Sequence, residues 1–126
     1  MFNKPKNIVS IVDDDESVRE AMKRLVTSLG YYAATFSSAE EFLNSDHLND
    51  TSCLITDVQM PGLSGIDLQQ HLNQQGRRIP IIFVTADPEH RLRTHAIEAG
   101  AVEYFSKPFN CDQLVMCLER ALRSKD

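Results

Sequence analysis

Tryptophan is missing from this sequence, glycine and proline number only 5 each in 126 residues, and no apolar run nears the ~20 residues that span a bilayer. So little glycine and proline excludes collagen-like and low-complexity classes, which need them in excess. With no long apolar run and no apolar stretch in Met1 to Lys6, neither a membrane span nor a secretory signal is expected. The chain reads as cytoplasmic. Cysteine is scarce as well: Cys53, Cys111 and Cys117 are odd in number and lack paired or metal-ligand spacing, which predicts reduced structural thiols. Cationic excess is also lacking, since 13 Lys and Arg face 18 Asp and Glu for a formal net charge of -5. That balance repels nucleic acid and anionic membranes at long range, so neither is an expected partner, and DNA binding would need another domain. His47, His71, His90 and His95 form no i, i+4 pair and have no nearby cysteine ligand, which argues against zinc and for surface positions.

What is present is an ordinary soluble composition, 42% hydrophobic and 25% charged, in a length suited to one core. Ile8 to Val12 is a β-branched run of the kind buried on both faces of a sheet, and it stops abruptly at Asp13, Asp14 and Asp15. Val18, Ala21, Met22, Leu25, Val26 and Leu29 then recur at three- and four-residue steps, a helical stripe closed by Gly30. The alternation continues. Ala33 to Phe36 reads as a strand, and Ser38 with Glu41 as a capping box opening a short helix. After a polar loop from Ser45 to Ser52, Cys53 to Thr56 forms a third strand that ends at Asp57. Pro61, Gly62 and Gly65 punctuate a loop before a helix carrying Ile66, Leu68 and Leu72 and stopping near Gly76. Ile79 to Val84, a helix around Leu92 to Ala99, Val102 to Ser106, and a last helix capped by Asn110 complete the series.

Five strands alternating with five helices predict an α/β fold, a mainly parallel sheet covered on both faces, in one domain over residues 1–126. Ligands of such sheets bind beyond the carboxyl ends of the strands. Those ends supply Asp13 and Asp14, then Asp57, Thr85 and Lys107. Crowded carboxylates repel one another and invite a hard cation such as Mg²⁺. A phosphoryl group in transit carries negative charge that Mg²⁺, the Lys107 ammonium and the Thr85 hydroxyl would neutralise or hydrogen-bond. Asp57 is the candidate nucleophile, with Gly62 and Gly65 letting the next loop fold close around it. Taken singly each residue has a plainer explanation: Asp13 to Asp15 as helix caps, Lys107 before Pro108 as a turn lysine, Thr85 as a strand end and Tyr104 as an edge aromatic. Their joint placement at four strand ends favours the chemical reading.

Ile11-Val-Asp-Asp-Asp, Leu54-Ile-Thr-Asp-Val-Gln-Met-Pro-Gly, Val84-Thr-Ala and Ser106-Lys-Pro-Phe, in this order and spacing, resemble the signature segments of bacterial response-regulator receivers. The resemblance covers essentially the whole chain. It implies a flavodoxin-like (βα)5 fold with strand order 2-1-3-4-5, no output domain within the chain, and a switch activated by phosphate from a sensor histidine kinase. It further implies Asp57 as phosphoacceptor, Asp14 as direct Mg²⁺ ligand, Asp13 acting through water, and the backbone carbonyl of Gln59 completing the metal ligands. Thr85 would bind the phosphoryl group and Lys107 pair with it. Tyr104 would turn inward as Thr85 moves, reshaping the surface of the fourth helix, fifth strand and fifth helix. Gln59 and Asp87 would tune hydrolysis of the phospho-aspartate. Glu98-Ala-Gly-Ala and Tyr104-Phe-Ser-Lys-Pro-Phe lean toward the FixJ-type subgroup, which implies transcription regulation and a homodimer on phosphorylation, although Glu89 to Arg93 departs from that subgroup's glycine-containing pattern. Such a domain assists its own phosphoryl transfer and autodephosphorylation without being a turnover enzyme. Two alternatives stand beside it: a Mg²⁺-dependent phosphohydrolase working through an aspartyl-phosphate, and a receiver-like interaction module that is never phosphorylated. The first is disfavoured by Gln59 standing where a general acid would be, the second by the intact acid set, Thr85 and Lys107.

Overall fold

The computed structural model describes residues 7–86 and 92–123. Along them run β1 (Ile8–Val12), α1 (Glu16–Ser28), β2 (Tyr32–Phe36), α2 (Ala39–Leu43), β3 (Thr51–Thr56), α3 (Gly65–Gln74), β4 (Ile81–Thr85), α4 (Arg93–Glu98), β5 (Glu103–Ser106) and α5 (Cys111–Arg123). All strand pairings are parallel, and the sheet order is β2-β1-β3-β4-β5. This is the expected α/β architecture and order. The chain steps outward from β1 to β2, then returns to β3 on the other side, so a crevice opens at the carboxyl ends of β1 and β3.

Period-two alternation within buried strands feeds two cores, one on each face of the sheet. Ile11, Cys53, Ile55, Ile82 and Val84 join Met22 and Val26 of α1 and Leu114, Leu118 and Ala121 of α5. Leu54, Ile81, Phe83 and Tyr104 join Phe42 of α2, Leu68 and Leu72 of α3, and Ala96 of α4. Central strands buried on both sides hold the ends of β1, β3 and β4 rigidly, and the site is built on those ends.

Several boundaries differ from the sequence reading for physical reasons. Thr51 and Ser52 belong to β3 and are buried, because their hydroxyls find partners: Thr51 Oγ1 lies 2.7 Å from Ser10 Oγ and donates to the His47 carbonyl at 2.6 Å. β4 starts at Ile81 rather than Ile79; Pro80 has no N–H for a ladder and contributes only its carbonyl, accepting from Leu54 N at 2.9 Å. At α2, Ser38 caps the Glu41 N–H as expected, but the Glu41 carboxylate accepts from Ser37 N, one residue upstream of a capping box. The reciprocal box stands at α3, between Ser64 and Asp67. His47 is not a surface residue: it is half-buried, 5.9 Å from the Tyr32 ring and 6.3 Å from the Phe36 ring. His90 and Asp87, and most of the Glu89 to Arg93 segment, lie outside the described residues.

α3 and α4 are tied by side-chain amides. Gln69 Nε2 donates to the Ala96 carbonyl and Asn73 Nδ2 to the Ala99 carbonyl, each at 3.0 Å. These carbonyls close the C-terminal turn of α4; that of Ala96 also accepts from Ala101 N–H at 3.0 Å, so Gln69 adds a second donor to it, while Asn73 supplies a donor to Ala99. At the other end, α4 has no side-chain cap at Leu92, and its Arg93 pairs with Glu103 of β5 at 2.8 Å on a half-exposed surface.

Candidate phosphoacceptor site

Three adjacent acids after β1 have separated their duties. Asp15 is the N-cap of α1, its carboxylate accepting from the Ser17 hydroxyl at 2.6 Å and from the Ser17 and Val18 N–H groups, which together hold its carboxyl below the usual range. The plain helix-cap explanation therefore holds for Asp15. Asp13 instead turns into the crevice and is 3% exposed, while Asp14 is exposed at the rim. The backbone fixes Asp13: its N–H donates to the Phe36 carbonyl and its own carbonyl accepts from Arg19 Nη1 at 2.7 Å. Asp57 is set by its N–H bond to the Val12 carbonyl at 3.0 Å, directly across from Asp13. Carboxylate oxygens of Asp13, Asp14 and Asp57 lie within 4.8 Å of one another.

Lys107 reaches this cluster from the end of β5. Its Nζ donates to Asp13 Oδ2 at 3.0 Å and to Asp57 Oδ2 at 3.2 Å, and its backbone N–H donates to the Thr85 carbonyl at 2.7 Å. Burial works against the charged ammonium, but the hydrogen bond it donates to Asp13 and the charges of Asp57 and Asp13 outweigh it and raise the Lys107 pKa. Thr85 is fully buried, and its Oγ1 meets no hydrogen-bond partner among the described residues. A buried hydroxyl left so retains its capacity to bond a further group. Tyr104, expected to turn inward as Thr85 moves, already lies inward without a phosphoryl group, 3% exposed, with its ring 5.9 Å from Phe83.

The loop after β3 is drawn tight against Asp57. Gln59 N–H donates to Asp57 Oδ1 at 3.2 Å, and Gly65 N–H to the Val58 carbonyl at 2.8 Å. A Cβ at Gly65 would lie 2.2 Å from the Asp57 carbonyl oxygen, so the close approach expected of this glycine is one that no side chain permits. Sequence reasoning missed Glu40: from α2 its Oε2 accepts from Leu63 N at 3.1 Å, a partnership across 23 positions with no local signal.

The electrostatics of Asp13 have a measurable consequence. Burial pushes its carboxyl up and the neighbouring Asp57 charge adds to this, against the lowering effect of hydrogen bonds from Asp15 N–H and Lys107. The folded chain thus holds this proton more tightly than the unfolded chain. The contribution favours folding below the unfolded carboxyl value, about 3.9, and is lost as pH rises through the higher folded value. In chelator, Asp13→Asn is therefore expected to melt above wild type near neutral pH, with the gap closing toward about pH 4. Thermal unfolding across that range checks this, and a variant less stable at neutral pH would refute it.

Comparisons agree with the geometry. Residues 9–119 match the family model of the response regulator receiver domain. Response regulator protein TodT of Pseudomonas putida is 42% identical over 117 residues, covering 93% of this chain and 52% of the relative. Transcriptional regulatory protein FixJ of Bradyrhizobium diazoefficiens is 32% identical over 121 residues, 96% of this chain and 59% of the relative. Among solved structures, response regulator StyR superposes with a TM-score of 0.89 at 39% identity, covering 95% of this chain and 61% of the other. The chain spans about half the length of the curated relatives it matches. No helix among the described residues is long and apolar enough to cross a membrane. With the parallel sheet in its 2-1-3-4-5 order, the acid cluster at its crevice and the family match over nearly all its length, this chain belongs to the response-regulator receiver domains of two-component signalling.

Proposed function

We propose that residues 1–126 form one cytoplasmic receiver domain that accepts a phosphoryl group on Asp57 from a sensor histidine kinase and thereby switches an output. The observation that carries this reading is the convergence on Asp57 of two further carboxylates and the Lys107 ammonium, with the buried, unpartnered Thr85 hydroxyl at the end of the adjacent strand β4. The donor set, three hard carboxylates whose oxygens lie within 4.8 Å of one another, fits Mg²⁺. Asp13, Asp14, Asp57 and the Gln59 carbonyl would hold it, and when bound it would neutralise charge on the phosphoryl oxygens.

An Asp57 carboxylate oxygen attacks phosphorus; the new O–P bond forms as the N–P bond of the donor's phosphohistidine breaks, and the imidazole keeps the electron pair. Lys107 moves from bridging two carboxylates to pairing with the phosphoryl oxygens. Thr85 turns its hydroxyl toward the same group. Its inward shift is what Tyr104 responds to, and the α4–β5–α5 surface changes with it. Relatives named as transcriptional regulatory proteins support an output in transcription; homodimerisation on phosphorylation is the route this reading assigns to it. The domain assists its own phosphorylation and autodephosphorylation and turns over no separate substrate.

Incubation with acetyl phosphate and Mg²⁺ followed by intact mass tests the reading. One added phosphoryl group is expected on wild type, and none on Asp57→Asn or in chelator. An adduct indifferent to Asp57, or no adduct at all, would leave a receiver-shaped interaction module in place of a switch.

A further inference from the structure

Glu40 lies outside the acid cluster, yet its carboxylate reaches from the first turn of α2 to the loop that follows Asp57. Two observations locate it there. Its Oε2 accepts from Leu63 N at 3.1 Å, and a Cβ built on Gly62 would fall 2.4 Å from that same oxygen. Gly62 has a φ of +77°, so the chain turns in the left-handed region and presents its backbone, free of any side chain, to the carboxylate. The loop from Val58 to Ser64 thus has an anchor at each end and one in the middle. Asp57 Oδ1 takes the Gln59 N–H, the Ser64–Asp67 box begins α3, and Glu40 fastens the stretch between. The middle anchor alone comes from another element.

We infer that Glu40 is a positioning residue for the Mg²⁺ site, strapping the β3–α3 loop at Leu63 so that Gln59, whose N–H is held by Asp57, can offer its carbonyl to a cation held by Asp13, Asp14 and Asp57. The inference rests on the metal reading proposed above. It follows from the chemistry of the strap. A bond between a carboxylate and a backbone N–H is stronger than a neutral one, and here it ties α2 to the loop backbone, adding to the packing of Met60 and Leu63 against the core. Groups that orient metal ligands commonly govern metal affinity without touching the ion.

The test compares Glu40→Ala and Glu40→Gln with wild type, using Mg²⁺ alone as the probe. The glutamine retains an acceptor oxygen for Leu63 N–H but loses the charge, so it separates the strap from long-range attraction of the cation. In metal-free protein, hydrogen exchange of the Leu63 amide is expected to quicken in Glu40→Ala and stay near wild type in Glu40→Gln. Calorimetric Mg²⁺ titration is expected to weaken about ten-fold in the alanine variant, the lower end for a supporting group around a metal, and to stay within about two-fold of wild type in the glutamine variant. Equal weakening in both variants would make Glu40 a distant charge and overturn the inference, as would wild-type Mg²⁺ affinity in Glu40→Ala. If wild type itself binds no Mg²⁺, the metal reading falls and this inference with it; if wild type binds and the alanine variant binds equally, only the inference falls.

Discussion

Gly65→Ala is expected to lower the melting temperature by about 10 °C and to reduce phosphorylation of Asp57 severely even where the variant is fully folded. The reasoning opposes two effects of known size. Alanine favours a helical position over glycine by about 1 kcal/mol, and Gly65 is the first residue of α3. Against this, the added methyl would sit 2.2 Å from the Asp57 carbonyl oxygen and 3.0 Å from the Val58 Cα. Both are backbone atoms of a buried stretch with no rotamer to absorb the shift. Overpacking a rigid site costs about 1–3 kcal/mol and sometimes more, so the clash prevails. Whatever relief occurs must move α3 or Asp57, and either displaces the nucleophile. Calorimetry, with acetyl phosphate uptake measured well below both melting temperatures, decides it. A variant as stable and reactive as wild type would mean that α3 does not set the position of Asp57.

Lys107→Met keeps the aliphatic stem and removes the ammonium that bridges Asp13 and Asp57. Three effects are expected, not all in one direction. The metal-free protein loses about 2 kcal/mol, less than a fully buried pair would forfeit, because Lys107 is 22% exposed and Asp13 can take up a proton. Mg²⁺ binding holds or tightens, since a competing cation is gone. Phosphorylation nonetheless slows about 100-fold, the usual consequence of deleting one charged or hydrogen-bonding group aimed at developing charge. Mass-resolved time courses at saturating Mg²⁺ isolate this last effect. A rate within a few-fold of wild type would reduce Lys107 to a counterion of the resting site.

The sheet and its acid edge were legible because their signals are local. Runs such as Ile8 to Val12 ending in aspartates announce both a buried strand and what stands at its tip. What escaped was decided by partners distant in sequence. Thr51 and Ser52 look like loop residues until Ser10 and the His47 carbonyl are brought beside them. His47 looks solvated until β2 places Tyr32 and Phe36 around it. Of three consecutive acids, only backbone geometry tells that Asp15 caps a helix while Asp13 faces Asp57. Glu40 carries no sign of its role, because nothing near it in the chain records where Leu63 will be.

The amide ties between α3 and α4 make the fourth helix a lever with its fulcrum at the far end. Gln69 and Asn73 grip the last turn by two hydrogen bonds, each worth about 1 kcal/mol, one of them fully buried. The Arg93–Glu103 pair at the other end is half-exposed and worth less. Six residues make a rod about 9 Å long, so a tilt of about 20° about the gripped end sweeps the other through about 3 Å. A displacement that reached the Arg93 end would, through a small rotation about the gripped turn, become a shift that a neighbouring surface can feel.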